Sequence, residues 1–156
     1  MTDRRLKSAY REAEHSPGLA LWRATNRWQA AQRAALKPLG LTHVQFVLLA
    51  SLTWLDAEGP VIQRDLADHA GTDPMMTSQV LRVLEKRGLV GRRALPSDAR
   101  ARALDVTTAG AELANRAVAV VEAVDEEFFG ALGDGAAELA VLLGRLAPSV
   151  DRQTGG

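Results

Sequence analysis

The sequence predicts a mainly α-helical chain with one small β-hairpin, and three observations predict it. Apolar residues recur at i, i+3, i+4 and i+7 over most of the length, the period of a helix rather than a strand. Helix-start signals recur at Ser16-Pro17, Thr42-His43-Val44-Gln45 and Asp73-Pro74. Strand-like runs are confined to residues 89–94 and 102–106.

Each element follows from its residues. Residues 1–15 have no sustained apolar period and read as a loose N-terminal arm. Ser16 and Pro17 open a helix that runs to about Lys37, where Pro38 should stop it. Its apolar stripe is Leu21, Ala24, Trp28, Ala31 and Ala35, with Trp22 off the stripe. Thr42 and Gln45 have capping-box spacing and begin a helix expected to bury Val44, Val47, Leu48, Ser51 and Leu55. Glu58-Gly59-Pro60 ends it.

Val61-Ile62 precedes a two-turn helix from Gln63 to Ala70, then the tight turn Gly71-Thr72. Asp73 and Pro74 open a longer helix, 74–87, expected to bury Thr77, Val80, Leu81 and Leu84 and to end at Gly88. A short helix, a glycine-containing turn and a longer capped helix make a helix-turn-helix. The two strand-like runs follow, separated by a polar tip at residues 95–101. Thr107 caps a long helix to about Ala131, striped by Leu113, Ala117, Val120, Val121, Val124, Phe128 and Ala131. After the Gly133-Asp134-Gly135 break, a last helix carries Leu139, Leu142, Leu143 and Leu146.

The fold class is therefore a winged helix-turn-helix, residues 39–106, flanked by terminal helices at 16–38 and 107–148 and a flexible tail at 149–156. Those terminal helices have apolar stripes with no obvious partner inside the winged segment, so they should pair with a second copy.

Composition narrows the function. The chain has 156 residues, 47% hydrophobic and 24% charged, the profile of one soluble globular unit. It contains no cysteine, which excludes disulfides, thiolate metal sites, a cysteine nucleophile and thiol-based sensing. No run is long and apolar enough for a membrane span, and the N-terminus lacks the apolar core of a secretory signal, so a cytoplasmic location is expected. Net charge is zero but unevenly spread. Residues 1–37 hold eight Lys/Arg against three acids, and residues 82–102 hold seven against two, +5 in each. Residues 105–151 hold two basic residues against nine acids, or −7. Opposed blocks imply one basic working face.

Met75, Ser78, Gln79, Arg82 and Lys86 form a second stripe at helical period on helix 74–87, opposite its apolar stripe. Short polar groups near the helix start suit base edges in a major groove, and longer cations further along suit phosphates. Thr72, in the turn before the helix, joins this candidate set. In the hairpin, Arg100 at the tip can enter a minor groove, with Asp98 steering its guanidinium. Arg92, Arg93 and Arg102 complete the candidate wing contacts.

These residues resemble the MarR family of winged-helix transcription regulators. The resemblance is carried by Leu66-Ala67, by the run Leu84-Glu85-Lys86-Arg87-Gly88-Leu89-Val90, by Asp98-x-Arg100 and by Val106-Thr107-x-x-Gly110; GLTHVQFVLLASL upstream is similar to that family's second helix. The resemblance implies a homodimer on a pseudo-palindromic operator in double-stranded DNA, usually a repressor released by a small aromatic or otherwise lipophilic ligand. No cofactor is expected. Two positions depart from the family: Ile62 stands where Ser or Thr usually caps the short helix, and Ala99 stands where a second wing Arg is common. The family places its ligand where the dimer helices meet the winged domain, and Trp22, Trp28, His43, Phe46, Trp54 and Met76 are the candidate lining residues.

Other classes fit less well. His15, His43 and His69 fall in no metal-ligand spacing, and no phosphate loop, nucleophile elbow or HExxH occurs, so neither an enzyme nor a metal site is expected. Asp125, Glu126 and Glu127 read as the solvated side of the long helix. A winged helix that binds protein instead of DNA is the alternative, disfavoured because the polar stripe lacks the aromatic anchors that interfaces prefer.

Overall fold

The computed structural model describes residues 5–95 and 97–148, with the side chains of residues 99–101 excepted. The start of the arm and the tail at 149–156 lie outside the described residues. The elements run α1 (Pro17–Leu36), α2 (His43–Asp56), α3 (Gln63–Ala70), α4 (Pro74–Lys86), β1 (Val90–Leu95), β2 (Asp98–Val106), α5 (Thr108–Gly130) and α6 (Gly135–Leu146). Short 3-10 turns at Ala13–His15 and Lys37–Leu39 flank α1. The second of these carries the chain through Pro38, because a proline in a first turn gives up no hydrogen bond.

The capping signals form as their chemistry requires. Ser16 Oγ accepts from Leu19 N, Thr42 and Gln45 make both bonds of the capping box, and Thr107 Oγ1 accepts from Gly110 N at 3.0 Å. Ile62 provides no side-chain cap for α3, in keeping with its hydrocarbon side chain. Gly88, just past α4, takes φ 73, a left-handed conformation that favours glycine.

The core closes around α2. Leu48, Leu49 and Leu52 of α2 meet Leu36, Val61, Leu66, Leu81, Leu84 and Leu104, all at 0% exposure. Burial on α2 is broader than the expected stripe: Phe46, Leu49 and Leu52 are buried, whereas Val44, Val47 and Ser51 are only partly so. Helix α5 packs on α1 and α2. Its start is locked to the base of the hairpin: Thr107 N donates to Leu89 O, Thr107 Oγ1 donates to Gly88 O at 2.7 Å, and a Cβ on Gly110 would lie 2.0 Å from Leu89 O.

The hairpin is antiparallel and longer than the sequence suggests, β2 starting at Asp98, with a register irregularity between Ala94 and Leu95. The strands therefore extend into the expected tip. Val61 adds a bridge to Leu104 on the far edge of β2, leaving β1 as the outer strand. No residue of α6 is buried. Among the described residues no single helix is long and apolar enough to cross a membrane.

Candidate nucleic-acid interface

The start of α4 is fixed by three side chains. Asp73 Oδ1 accepts from Met76 N at 2.8 Å, and Pro74 occupies the first turn. Buried Thr77 donates its hydroxyl to Asp73 O at 2.8 Å and lies 2.7 Å from the Thr72 hydroxyl. Since the Thr77 proton is committed to the carbonyl, Thr72 donates to Thr77. Thr72, grouped by sequence with the DNA contacts, thus spends its proton inside the turn.

The remaining stripe is assembled on one face. Met75 (72% exposed), Gln79, Arg82 and Lys86 are exposed opposite buried Thr77, Leu81 and Leu84. Ser78 is half-buried and accepts from Arg82 Nη2 at 3.3 Å. Val83 and Met76, at 44% and 43% exposure, flank this face. Val83 escaped sequence reading because a lone valine near an apolar stripe looks like core; its place four residues after Gln79 was the available signal. Met76, a candidate pocket residue by sequence, stands on this flank.

The wing cations divide. Arg92 Nε donates to Glu85 Oε1 and its Nη2 to Gln63 Oε1 at 3.1 Å, so its guanidinium faces the helices. Arg93 remains half-exposed, 3.9 Å from Asp105 Oδ2, and Arg102 is exposed beside Ala94. Asp98 is exposed at the start of β2. The Arg100 side chain lies outside the described residues.

The six residues proposed from sequence to line a ligand pocket do not meet within one chain. Phe46 is core at 8% exposure, because α2 is buried on most sides. Trp22 and Trp54 project outward at 67% and 70% exposure. Trp28 and His43 do meet, ring centroids 5.0 Å apart and edge-on. Beside them lies a polar node that the sequence did not reveal: Asp125 Oδ1 accepts from Trp28 Nε1 and from Gln32 Nε2, each at 2.7 Å. Asp125 is therefore turned inward, unlike its exposed neighbours Glu126 and Glu127. Gln32 is fully buried, and among the described residues its Oε1 has no partner. Burial pushes the His43 imidazole below its ordinary value; the Asp125 carboxylate opposes that shift and Arg33 reinforces it.

Next to this node an open cleft of about 720 Å³ runs between α1, α5 and α6. Its walls are Leu21, Ala24 and Trp28 from α1, Phe128 and Phe129 from α5, and Leu139, Leu142, Leu143 and Leu146 from α6. The α6 leucines were legible as a stripe; Phe129 was not, because it lies off the α5 period.

A helix-turn-helix with an exposed polar stripe, joined to a two-stranded wing, defines a winged-helix DNA-binding protein. The MarR family model matches residues 41–101. The uncharacterized HTH-type transcriptional regulator YdcH of Bacillus subtilis is 44% identical over 117 residues, 74% of this chain and 80% of that protein. The HTH-type transcriptional repressor Rv2887 of Mycobacterium tuberculosis is 39% identical over 115 residues, 72% of this chain and 80% of that protein. Among solved structures, CouR from Rhodococcus jostii RHA1 bound to p-coumaroyl-CoA superposes with a TM-score of 0.79 at 28% identity, covering 91% of this chain and 99% of that one. CouR has also been solved on a 23-mer DNA duplex. This chain belongs to the MarR family of transcriptional regulators.

Proposed function

We propose that the protein is a cytoplasmic, homodimeric repressor that reads a pseudo-palindromic operator and leaves it when a small lipophilic ligand binds. The observation that carries this reading is the outer face of α4, where Met75, Gln79, Arg82 and Lys86 are exposed together. In a dimer, two such helices about 34 Å apart enter successive major grooves. Gln79 reads a base edge, Lys86 and Arg82 hold phosphate or guanine, and Arg93, Arg100 and Arg102 of the wing serve the flanking minor groove and backbone. The repressor relative and the DNA-bound and ligand-bound CouR structures support the same reading.

Residues 39–106 are the DNA-reading part, and 16–38 with 107–148 form the dimer base. The apolar walls of the cleft, open in one chain, are the surface a second copy covers. The effector site is the corner where Trp28 and His43 meet, and its ligand is aromatic or otherwise lipophilic. No cofactor is involved.

The test is selection from random duplexes, then titration of the winner at several salt concentrations. An inverted repeat with half-sites about ten base pairs apart and a steep salt slope is expected. Gln79→Ala should alter which sequences win, and Arg100→Ala should weaken binding about tenfold without moving the thermal midpoint. If no sequence is enriched, the stripe does not read DNA, and a protein partner becomes the better reading of this face.

A further inference from the structure

The hairpin that carries the wing is held from two sides. On its inner edge, Leu104 N donates to Val61 O at 2.7 Å and Val106 N donates to the Asp56 carboxylate at 3.3 Å. Both bonds hold β2. Among the described residues the outer strand, β1, has no strand neighbour beyond β2, and two strands alone are marginal in water. Val90 anchors its first residue in the core, and further along the strand Arg92 is its polar tie to the helices. This side chain lies on the same face of β1 as buried Val90, opposite Leu104, so it points toward the helical body. There it reaches Glu85, near the end of α4, and Gln63, the first residue of α3. One guanidinium thus joins the start of α3, the end of α4 and the root of the wing.

We propose that Glu85, Arg92 and Gln63 form a bracket that fixes the wing's direction relative to α4, making Arg92 a positioning residue for operator recognition rather than a phosphate contact. The inference rests on the DNA-reading function above. Charge favours it. Arg92 sits against a carboxylate, so the pair brings little net positive charge to the phosphates and adds little to counterion release. Geometry favours it as well. Major-groove and minor-groove contacts come from different elements, and both are made at once only if the angle between those elements is set beforehand. The side chains of Arg92 and Glu85 are 29% and 27% exposed, so the pair is largely shielded from water and the stability of each variant is read beside its binding.

Glu85→Ala separates the two roles by sign. Electrostatics alone makes removal of a carboxylate beside DNA strengthen binding to every duplex. The bracket makes it weaken binding to the selected duplex about tenfold while a shuffled duplex changes by less than about threefold. Arg92→Ala should do the same, the double alanine variant should be no worse than either single, and the exchanged pair Glu85→Arg with Arg92→Glu should recover most of the loss. Glu85→Gln, which keeps an acceptor, should stay close to wild type, and the thermal midpoint of each variant reports folding. Tighter binding of Glu85→Ala to both duplexes, with a shallower salt slope for Arg92→Ala, would overturn the bracket. Amide hydrogen exchange in β1 needs no DNA and should quicken in both single variants. If the wild type selects no sequence, the DNA reading fails, and unchanged exchange in β1 would sink the bracket separately.

Discussion

Leu146 tests the dimer base with little risk to the monomer. It ends α6, lines the open cleft and is 78% exposed in the single chain, so it contributes little to that chain's own packing. Carrying a leucine fully out of water is worth about 1.5–3 kcal/mol, and the exposed fraction leaves about 1–2 kcal/mol to be gained on association. A two-fold interface counts each residue twice, so Leu146→Glu should cost about 2–4 kcal/mol of dimer stability, even before the new carboxylate's desolvation is added. That raises the dissociation constant about 30- to 700-fold. Sedimentation velocity over a concentration series reads it directly, with circular dichroism confirming that helix content is retained. A dissociation constant within about threefold of wild type would show that α6 does not face the second copy, whatever its apolar stripe suggests.

Three further outcomes follow from packing and charge. Gly110→Ala should destabilise by about 1–3 kcal/mol, because the new methyl meets the Leu89 carbonyl and not a flexible side chain. Calorimetry should then show the melting temperature lowered by about 3–10 °C, and an unchanged value would contradict the close approach. The folded-state pKa of His43 lies below its ordinary 6.5, so the unfolded chain takes up the proton first as pH falls. Stability from His43 is full above 6.5 and is lost as pH drops below it; His43→Gln should remove that part of the acid slope, and an identical slope would refute the assignment. Asp125→Ala should cost more in denaturant unfolding than Gln32→Met, by about 1–3 kcal/mol, since it strands Trp28 Nε1 and leaves Gln32 Nε2 only its longer bond to Val121 O at 3.4 Å, whereas Met removes the unpartnered Gln32 Oε1 as well. The reverse order would mean that the node is not built as described.

What was legible in the sequence was mostly local. Caps at Ser16, Thr42, Asp73 and Thr107 depend on a side chain and an amide a few residues on, so they are visible without the fold. The polar stripe of α4 was legible for the same reason: one face of one helix decides it. Where burial depends on several neighbours, periodicity misleads. Helix α2 is enclosed on most sides, so Phe46 and Leu52 are core although they lie off the expected stripe. Asp125 looked like a solvated acid because its two donors stand more than ninety residues earlier on α1. Arg92 looked like a wing contact to DNA because nothing local announces Gln63 and Glu85 as its partners. The α1 stripe failed differently: Leu21 and Ala24 are apolar as read yet exposed, because their neighbours within the chain form only one side of a cleft.

Helix α5 connects the two halves of this design. Its first turn is welded to the wing root through Thr107 and Gly110, and its far end supplies Phe128 and Phe129 to the cleft. The helix spans Thr108–Gly130, 23 residues, and is therefore about 34 Å long. A tilt of about 5° at the cleft end displaces the other end by about 3 Å, close to one base-pair step. Leu48, Leu49 and Leu52 of α2 are fully buried and α5 packs on α2, so a close-packed winged unit should follow α5 as a body. With the dimer base proposed above, the spacing between two α4 helices is set there, far from the bases they read. A ligand at the Trp28–His43 corner shifts operator binding only to the degree that it binds one tilt better than the other. That requirement favours a ligand held jointly by α1 and α2 against α5, since contacts to one helix alone would be equal in both arrangements.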